Sequence, residues 1–318
     1  MTIKAIDVKK LREDTNAGMM DCKKALMESD GDFEKAKTIL KEKGQSKADS
    51  KSGRTTAQGL VVIKSDKDFV VSSSSPSPQA VILEVNCETD FAAKDEFFIE
   101  FVNNIAFLIL ETNINNMEQL VQESIAVSSA DQLDIDNFEN IEEYRKFAIS
   151  KLGENITIRR FQRVESNGTM IGTYVHGTKI ASIVEIDDRN TYAGDDAELA
   201  KDIAMHVAAS KPEYLSISDI PDEIIKEESR ILTLQAEEEG KPKEIIGKIV
   251  AGKLKKQFDQ VTLNEQEFVK DPDMTISQLL SKKNTYVYSF IRYEVGEGIE
   301  IEEANFADEV KAQVDALK

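Results

Sequence analysis

AVILEVNCETDFAAKDEFF, residues 80–98, recurs in outline as ASIVEIDDRNTYAGDDAEL, residues 181–199, after a shift of 101 positions (181 minus 80). Ala80 meets Ala181, Ile82 meets Ile183, Glu84 meets Glu185, Ala92 meets Ala193, Asp95 meets Asp196, and the aromatic Phe91 meets Tyr192. Each copy reads as a β-prone run, a polar loop ending in an aromatic, and then a pattern of helical period. Agreement in the order of elements as well as in identities points to a duplication. The expected core is therefore two similar α+β units side by side.

Outward from the first copy, Leu60–Lys64, Phe69–Ser73 and Val81–Val85 read as strands, with SSSSPSP at 72–78 as a loop tip. A long helix follows them. Phe97, Phe98, Phe101, Val102, Ile105, Leu108 and Ile109 form a broad apolar stripe suited to packing on a sheet. Residues 112–140 are acidic and irregular, and a helix near 141–152 and a strand near 154–162 follow.

Upstream, residues 1–43 read as three short helices. Val8 and Leu11 share a face of the first. Gly18 is expected to give the following turn its backbone freedom. Met20, Lys23, Lys24 and Leu26 lie on the second helix, Gly31 ends it, and Asp32 caps the third, which carries Phe33, Ala36, Ile39 and Leu40. GQSKADSKSGRTTAQ, 44–58, has no apolar period and reads as a solvated linker, with a basic binding arm as the other reading.

Downstream, Ile224, Ile225, Ile231 and Leu232 repeat at seven. Ile245, Ile246, Ile249, Val250, Leu254 and Phe258 follow a Gly-Lys-Pro turn at threes and fours, which predicts a helical hairpin. Its first arm, 222–239, carries seven acids and two bases, and its second, 241–256, six bases and one acid. The chain closes with a strand near Tyr286–Val295, a turn at Gly296 and Gly298, and a short acidic helix near Ala304–Ala316.

With 318 residues the chain has room for about two domains. Its net charge of −19 (40 basic, 59 acidic) argues against nucleic-acid backbone and anionic membrane surfaces as partners. Cys22 and Cys87 make no CxxC pair and fit a reducing compartment. No secretory leader is read at MTIKAIDVKKLRED, and the longest apolar run, IAFLIL at 105–110, is far too short to span a bilayer, so a cytoplasmic protein is expected. His176 and His206 are the only histidines, and no HExxH, phosphate-binding GxxxxGK[ST] or GxSxG motif occurs. We expect no cofactor, no metal and no covalent catalysis. Cys87 continues a strand and reads as a buried small hydrophobe rather than a nucleophile. His206 follows Leu199 and Ile203 on a helix face and reads as a core-edge histidine, and His176 as a turn histidine.

NCETDF, 86–91, has two readings. Thr89 or Asp90 caps the next helix while Phe91, seven residues before Phe98, extends its core stripe. Alternatively, Phe91 stands exposed at a rigid junction beside a carboxylate, ready to enter a partner.

LREDTNAGMMDCKKALMESDGD (11–32), LEVNCETDFAAKDEFF (83–98), KLGENITIRR, YVHG, IAMHVAASKPEYL, GKPKEI and FIRYEVGEGIE, in that order, resemble the signatures of the elongation factor Ts family over essentially the whole chain. That family exchanges guanine nucleotide on the translational GTPase elongation factor Tu. The resemblance implies a ubiquitin-associated-like (UBA-like) three-helix domain with its linker at 1–55 and core subdomains at 56–168 and at 169–214 with 264–296. It further implies an inserted antiparallel coiled-coil hairpin at 215–263 and a carboxy-terminal helical module at 297–318. It implies that Thr89, Asp90, Phe91 and Ala92 displace Mg²⁺ in the GTPase, and that Met19, Met20, Lys23, Lys24, Leu152, Gly153 and His176 also contact it. A homodimer or a two-to-two complex is compatible with this plan. Ala92 stands where the family often has valine, and the SSSSPSP loop and the 112–140 segment are longer than usual. The rival expectation is a non-enzymatic adaptor that binds through its amino-terminal bundle.

Overall fold

The computed structural model describes residues 3–15, 17–65, 79–112, 114–122, 138–166, 169–187 and 195–300. The expected strand at Phe69–Ser73, the SSSSPSP tip, most of the 112–140 segment, the loop holding Tyr192 and the helix near 304–316 lie outside them.

Helices α1 (Ala5–Thr15), α2 (Met19–Glu28) and α3 (Phe33–Asp49) bury Leu11, Cys22, Ala25, Leu26 and Ala36 among themselves. Asp32 caps α3 as expected, accepting the N–H groups of Glu34 and Lys35, each at 3.1 Å. Gly18 does not use the freedom expected of it: its φ of −60° suits any residue, and the left-handed positions are Asp30 and Gly31 in the next turn. The linker expectation also fails over its first half. Helix α3 runs on to Asp49 and buries Ala48 in the core of the first α+β unit. Residues 51–56 are tied down too, because Lys51 Nζ donates to Gly153 O and Asn155 Nδ2 donates to Arg54 O at 2.8 Å. Polar composition misled here because the segment docks mostly by hydrogen bonds, which leave no apolar period.

The first unit comprises β1 (Gln58–Ser65), β2 (Gln79–Cys87), α4 (Glu96–Glu111), α5 (Met117–Gln122), α6 (Ile141–Leu152) and β3 (Ile156–Glu165). The second comprises β4 (Thr169–His176), β5 (Ile180–Asp187), α7 (Asp195–Ser210) and, after an insertion, β8 (Val287–Glu294). Both sheets are antiparallel, ordered β1-β2-β3 and β4-β5-β8. The register of β2 on β3 slips between Glu84 and Val85, and that of β5 on β8 between Glu185 and Ile186. These are the positions the sequence repeat equates, so even the irregularity is shared.

The two sheets stack face to face between helices. Val81, Leu83 and Val85 point to α4 and α6, while Ala80 and Ile82 meet Ala181, Ile183, Ile171 and Tyr293 of the second sheet. Val184 and Ile186 turn the other way, onto Leu199, Ile203 and Val207 of α7. Being covered on both faces, β2 is buried from Ala80 to Cys87 although it is antiparallel. Ala80 with Ala181 and Ile82 with Ile183 are repeat-equivalent pairs, so the units meet through matching faces.

The insertion holds α8 (Asp222–Glu238), α9 (Lys243–Val261), a short β6–β7 ribbon (Glu267–Phe268, Asp271–Thr275) and α10 (Ile276–Lys283). Helix α9 doubles back on α8 through Gly240, whose φ of 71° suits glycine, and Leu232, Ala236, Ile246 and Val250 bury together. Lys253 pairs across the arms with Glu239 at 3.7 Å, whereas Arg230 pairs within its own arm with Glu227 at 2.7 Å. Exposed pairs of this kind contribute under about 1 kcal/mol each. Ribbon and α10 were not anticipated, although Thr275 and Gln278 spell the reciprocal capping box that starts α10.

Candidate functional site

Strand β2 delivers the chain from the buried Cys87 into the turn Thr89–Ala92, and α4 restarts only at Glu96. Asp95, at φ −67° and ψ 133°, is extended and caps α4 by accepting the Phe97 N–H at 2.9 Å. Neither Thr89 nor Asp90 caps this helix. The break takes Phe91 out of the register of Phe98: Phe98 is fully buried, whereas Phe91 is 81% exposed. Phe91 therefore does not extend the core stripe.

Thr89 is the node of the turn. Its hydroxyl accepts the Ala92 N–H (3.2 Å) and donates to Glu154 Oε1 (2.6 Å), while its own N–H donates to Glu154 Oε2 (3.0 Å). Its carbonyl accepts the Cys87 thiol at 3.2 Å and the Ala93 N–H at 3.3 Å. Burial pushes that thiol up to about 12, with the charge of Glu154 adding to the effect. Asp90 pairs with Lys94 at 2.7 Å, and this bond, more than the Lys94 charge, holds its carboxyl below the usual range. Ala92 is buried beneath the turn.

The other candidate residues fall into two groups. Leu152 and Gly153 end α6, Gly153 in the left-handed conformation (φ 78°), and the next residue is the Glu154 that grips Thr89. His176 ends β4, exposed, its Nδ1 at 3.2 Å from the Tyr174 hydroxyl. The turn after it, through Thr178 and Lys179, lines a hollow of about 210 Å³ together with Asp90, Lys94 and Ile99. Leu152, Gly153 and His176 therefore sit on elements that meet around Thr89–Ala92. Met19, Met20, Lys23 and Lys24 stand exposed on α2. Met19 lines a groove of about 1070 Å³ between the bundle and the core, shared with Phe97, Glu100 and Lys151. His206 is fully buried rather than at the core edge, with Nε2 at 2.9 Å from Gln266 Oε1. Sequence reasoning missed Glu154 and Lys94. Lys94 was legible as the i+4 partner of Asp90, but Glu154 carried no signal, its partner being 65 residues away.

The described residues contain no group of three or more His, Cys, Asp or Glu side chains that could hold a metal ion. Among them no helix is long and apolar enough to cross a membrane.

The described residues thus form a two-unit α+β core that presents an exposed aromatic on a hydrogen-bonded turn. The sequence model of the family described as Elongation factor TS matches residues 88–297. The chain is 45% identical over 318 residues to the elongation factor Ts of Hydrogenovibrio crunogenus, covering all of both chains. It is 43% identical over 316 residues to that of Methylococcus capsulatus, covering 99% of this chain and 100% of the relative. It is 44% identical over 313 residues to that of Alkalilimnicola ehrlichii, covering 98% and 99%. The chain belongs to the elongation factor Ts family, and thus to the translation factors of protein biosynthesis.

Proposed function

We propose that the chain is a guanine-nucleotide exchange factor for elongation factor Tu: it binds the GDP form, dislodges Mg²⁺ and releases GDP so that GTP loads. The observation that carries this reading is the exposed Phe91 ring on a turn whose backbone is anchored at both ends. A ring held this way can enter a gap in a partner without first losing conformational freedom. Thr89, Asp90, Phe91 and Ala92 form the wedge, with Leu152, Gly153 and His176 beside it and Met19, Met20, Lys23 and Lys24 docking from α2.

The driving force is linkage. A factor that binds nucleotide-free GTPase more tightly than the GDP form lowers GDP affinity by that same ratio. Loss of Mg²⁺ leaves the phosphate charges unscreened, and excess GTP reloads the site by mass action. No covalent step is required. We read residues 1–55 as a UBA-like domain with its linker, 56–168 and 169–214 with 264–296 as the core subdomains, 215–263 as an antiparallel coiled-coil hairpin and 297–318 as a carboxy-terminal module. The hairpin suits either a second copy, in a homodimer or two-to-two complex, or the GTPase itself.

Stopped-flow release of a fluorescent GDP from elongation factor Tu at millimolar Mg²⁺ is the test. The chain should accelerate release, and Asp90→Ala with Phe91→Ala should abolish most of the acceleration. Wild-type release and wild-type complex affinity in the double variant would refute the wedge.

A further inference from the structure

Phe91 has almost no core contact to fix its direction, so the turn's backbone anchors decide where the ring points. Those anchors converge on the segment after α6. Glu154 takes the Thr89 N–H and hydroxyl on its two carboxylate oxygens, at 3.0 and 2.6 Å. In the opposite sense, Glu88 Oε1 accepts the Asn155 N–H at 2.6 Å. Residues 88–89 and 154–155 thus exchange carboxylate-to-backbone bonds, and charged acceptors make such bonds short and strong. Arg54 adds a 3.4 Å contact to Glu88, and Asn155 Nδ2 reaches Arg54 O at 2.8 Å, so the clamp is itself braced. Strand β2 and helix α4 are held on either side by their own apolar core. The clamp acts on the turn between them.

We propose that Glu154 is the positioning residue of the exchange turn: its carboxylate holds Thr89 so that Phe91 and Asp90 are presented in one orientation before the GTPase arrives. The inference rests on the exchange reading above. Glu154 acts through Thr89 and need not touch the partner.

The test uses the full chain with Glu154→Ala, Glu154→Gln, Thr89→Ala and the Glu154→Ala/Thr89→Ala pair. Sub-saturating release of fluorescent GDP from elongation factor Tu should fall roughly tenfold in Glu154→Ala, less than the roughly hundredfold that a full 1 Å misplacement of a positioned group can cost. Glu154→Gln should retain more activity, because its amide oxygen still accepts the Thr89 N–H. The double variant should lose no more than the worse single variant, since both remove one link.

A second readout does not involve the partner. Cys87 donates its thiol to Thr89 O, so loosening the turn should speed iodoacetamide labelling of Cys87, read by peptide mass spectrometry, while the buried Cys22 of the bundle reports any general opening. Faster labelling of Cys87 alone in Glu154→Ala supports the clamp. Unchanged release with unchanged Cys87 labelling overturns it. A loss of exchange with unchanged labelling, additive with Thr89→Ala, also overturns it, by making Glu154 a direct partner contact. If the wild-type chain fails to accelerate GDP release, the exchange reading falls, and the Cys87 labelling still decides whether Glu154 holds the turn.

Discussion

A ring that is 81% exposed adds little to folding, so Phe91→Ala should leave stability within about 0.5 kcal/mol of the wild type while removing most of the exchange activity. Urea unfolding beside stopped-flow GDP release measures both. A variant that unfolds markedly earlier would show Phe91 to be a packing residue after all. The seven-residue interval from Phe91 to Phe98 suggested such packing, because it presumes a continuous helix. Asp95 takes extended angles and starts α4 afresh, which the spacing cannot reveal but the Asp-Glu pair at 95–96 hints at, acids being favoured at helix starts. Cys87 was legible as a buried residue because it continues an apolar strand, whereas His206, read at the core edge, is fully buried. What was not legible at this scale is who holds Thr89, because Glu154 is adjacent only after α6 has returned the chain to β2.

Among the elements, α4 was read almost in full: Phe98, Phe101, Ile105, Leu108 and Ile109 are all buried against the sheet or α6. Phe101 packs at 4.7 Å from the Tyr144 ring, and Phe101→Ala should cost about 3–5 kcal/mol, measured by chemical denaturation. The insertion was read only in part. Two-residue β6 has no period to detect, and what seats its ribbon is polar. His206 Nδ1 accepts the Val269 N–H at 3.2 Å, and Nε2 then donates to Gln266, an arrangement that requires a neutral ring. Burial pushes its protonation below the ordinary histidine range, partly offset by the Gln266 bond. Because the folded-state value is depressed, this contribution is complete above the unfolded value of about 6.5 and fades as pH falls below it. Between pH 7 and pH 5 the wild type should therefore lose more stability than His206→Gln, by at most about 1.4 kcal/mol per pH unit. Parallel pH profiles for the two proteins would show that the ribbon is seated without this proton-sensitive clip.

At the scale of the molecule, the two-unit plan was legible because the order of strand, loop and helix repeats at a fixed shift, and side chains one sheet buries against the other recur in both copies. The seam's polar lock was not legible, since Glu84 is one of 59 acidic residues and nothing local marks it as buried. In the fold it is fully buried on the inter-sheet face of β2. It accepts from Arg159 Nη1 (2.9 Å), Arg160 Nε (2.6 Å), Asn86 Nδ2 (3.2 Å) and the Gly296 N–H (2.8 Å). Arg160 also lies over the Tyr293 ring of β8, 4.1 Å from its centroid, so one arginine ties β3 to β2 and to the second sheet. Gly296 can approach because it has no Cβ: one added there would sit 2.4 Å from Ala57 O, on a backbone already at φ 75°. A buried carboxylate is tolerable only while its counter-charges remain, and removing them strands the charge, at a typical cost of about 3–5 kcal/mol. Arg159→Met with Arg160→Met should therefore be destabilised by about that amount at pH 7. Adding Glu84→Gln to the pair should restore a large share of it, because a neutral amide of the same shape needs no counter-charge. Urea unfolding of the three proteins decides the matter. If Glu84→Gln restores nothing, the arginines act through their other contacts, the Tyr293 ring and Glu297, rather than by neutralising Glu84.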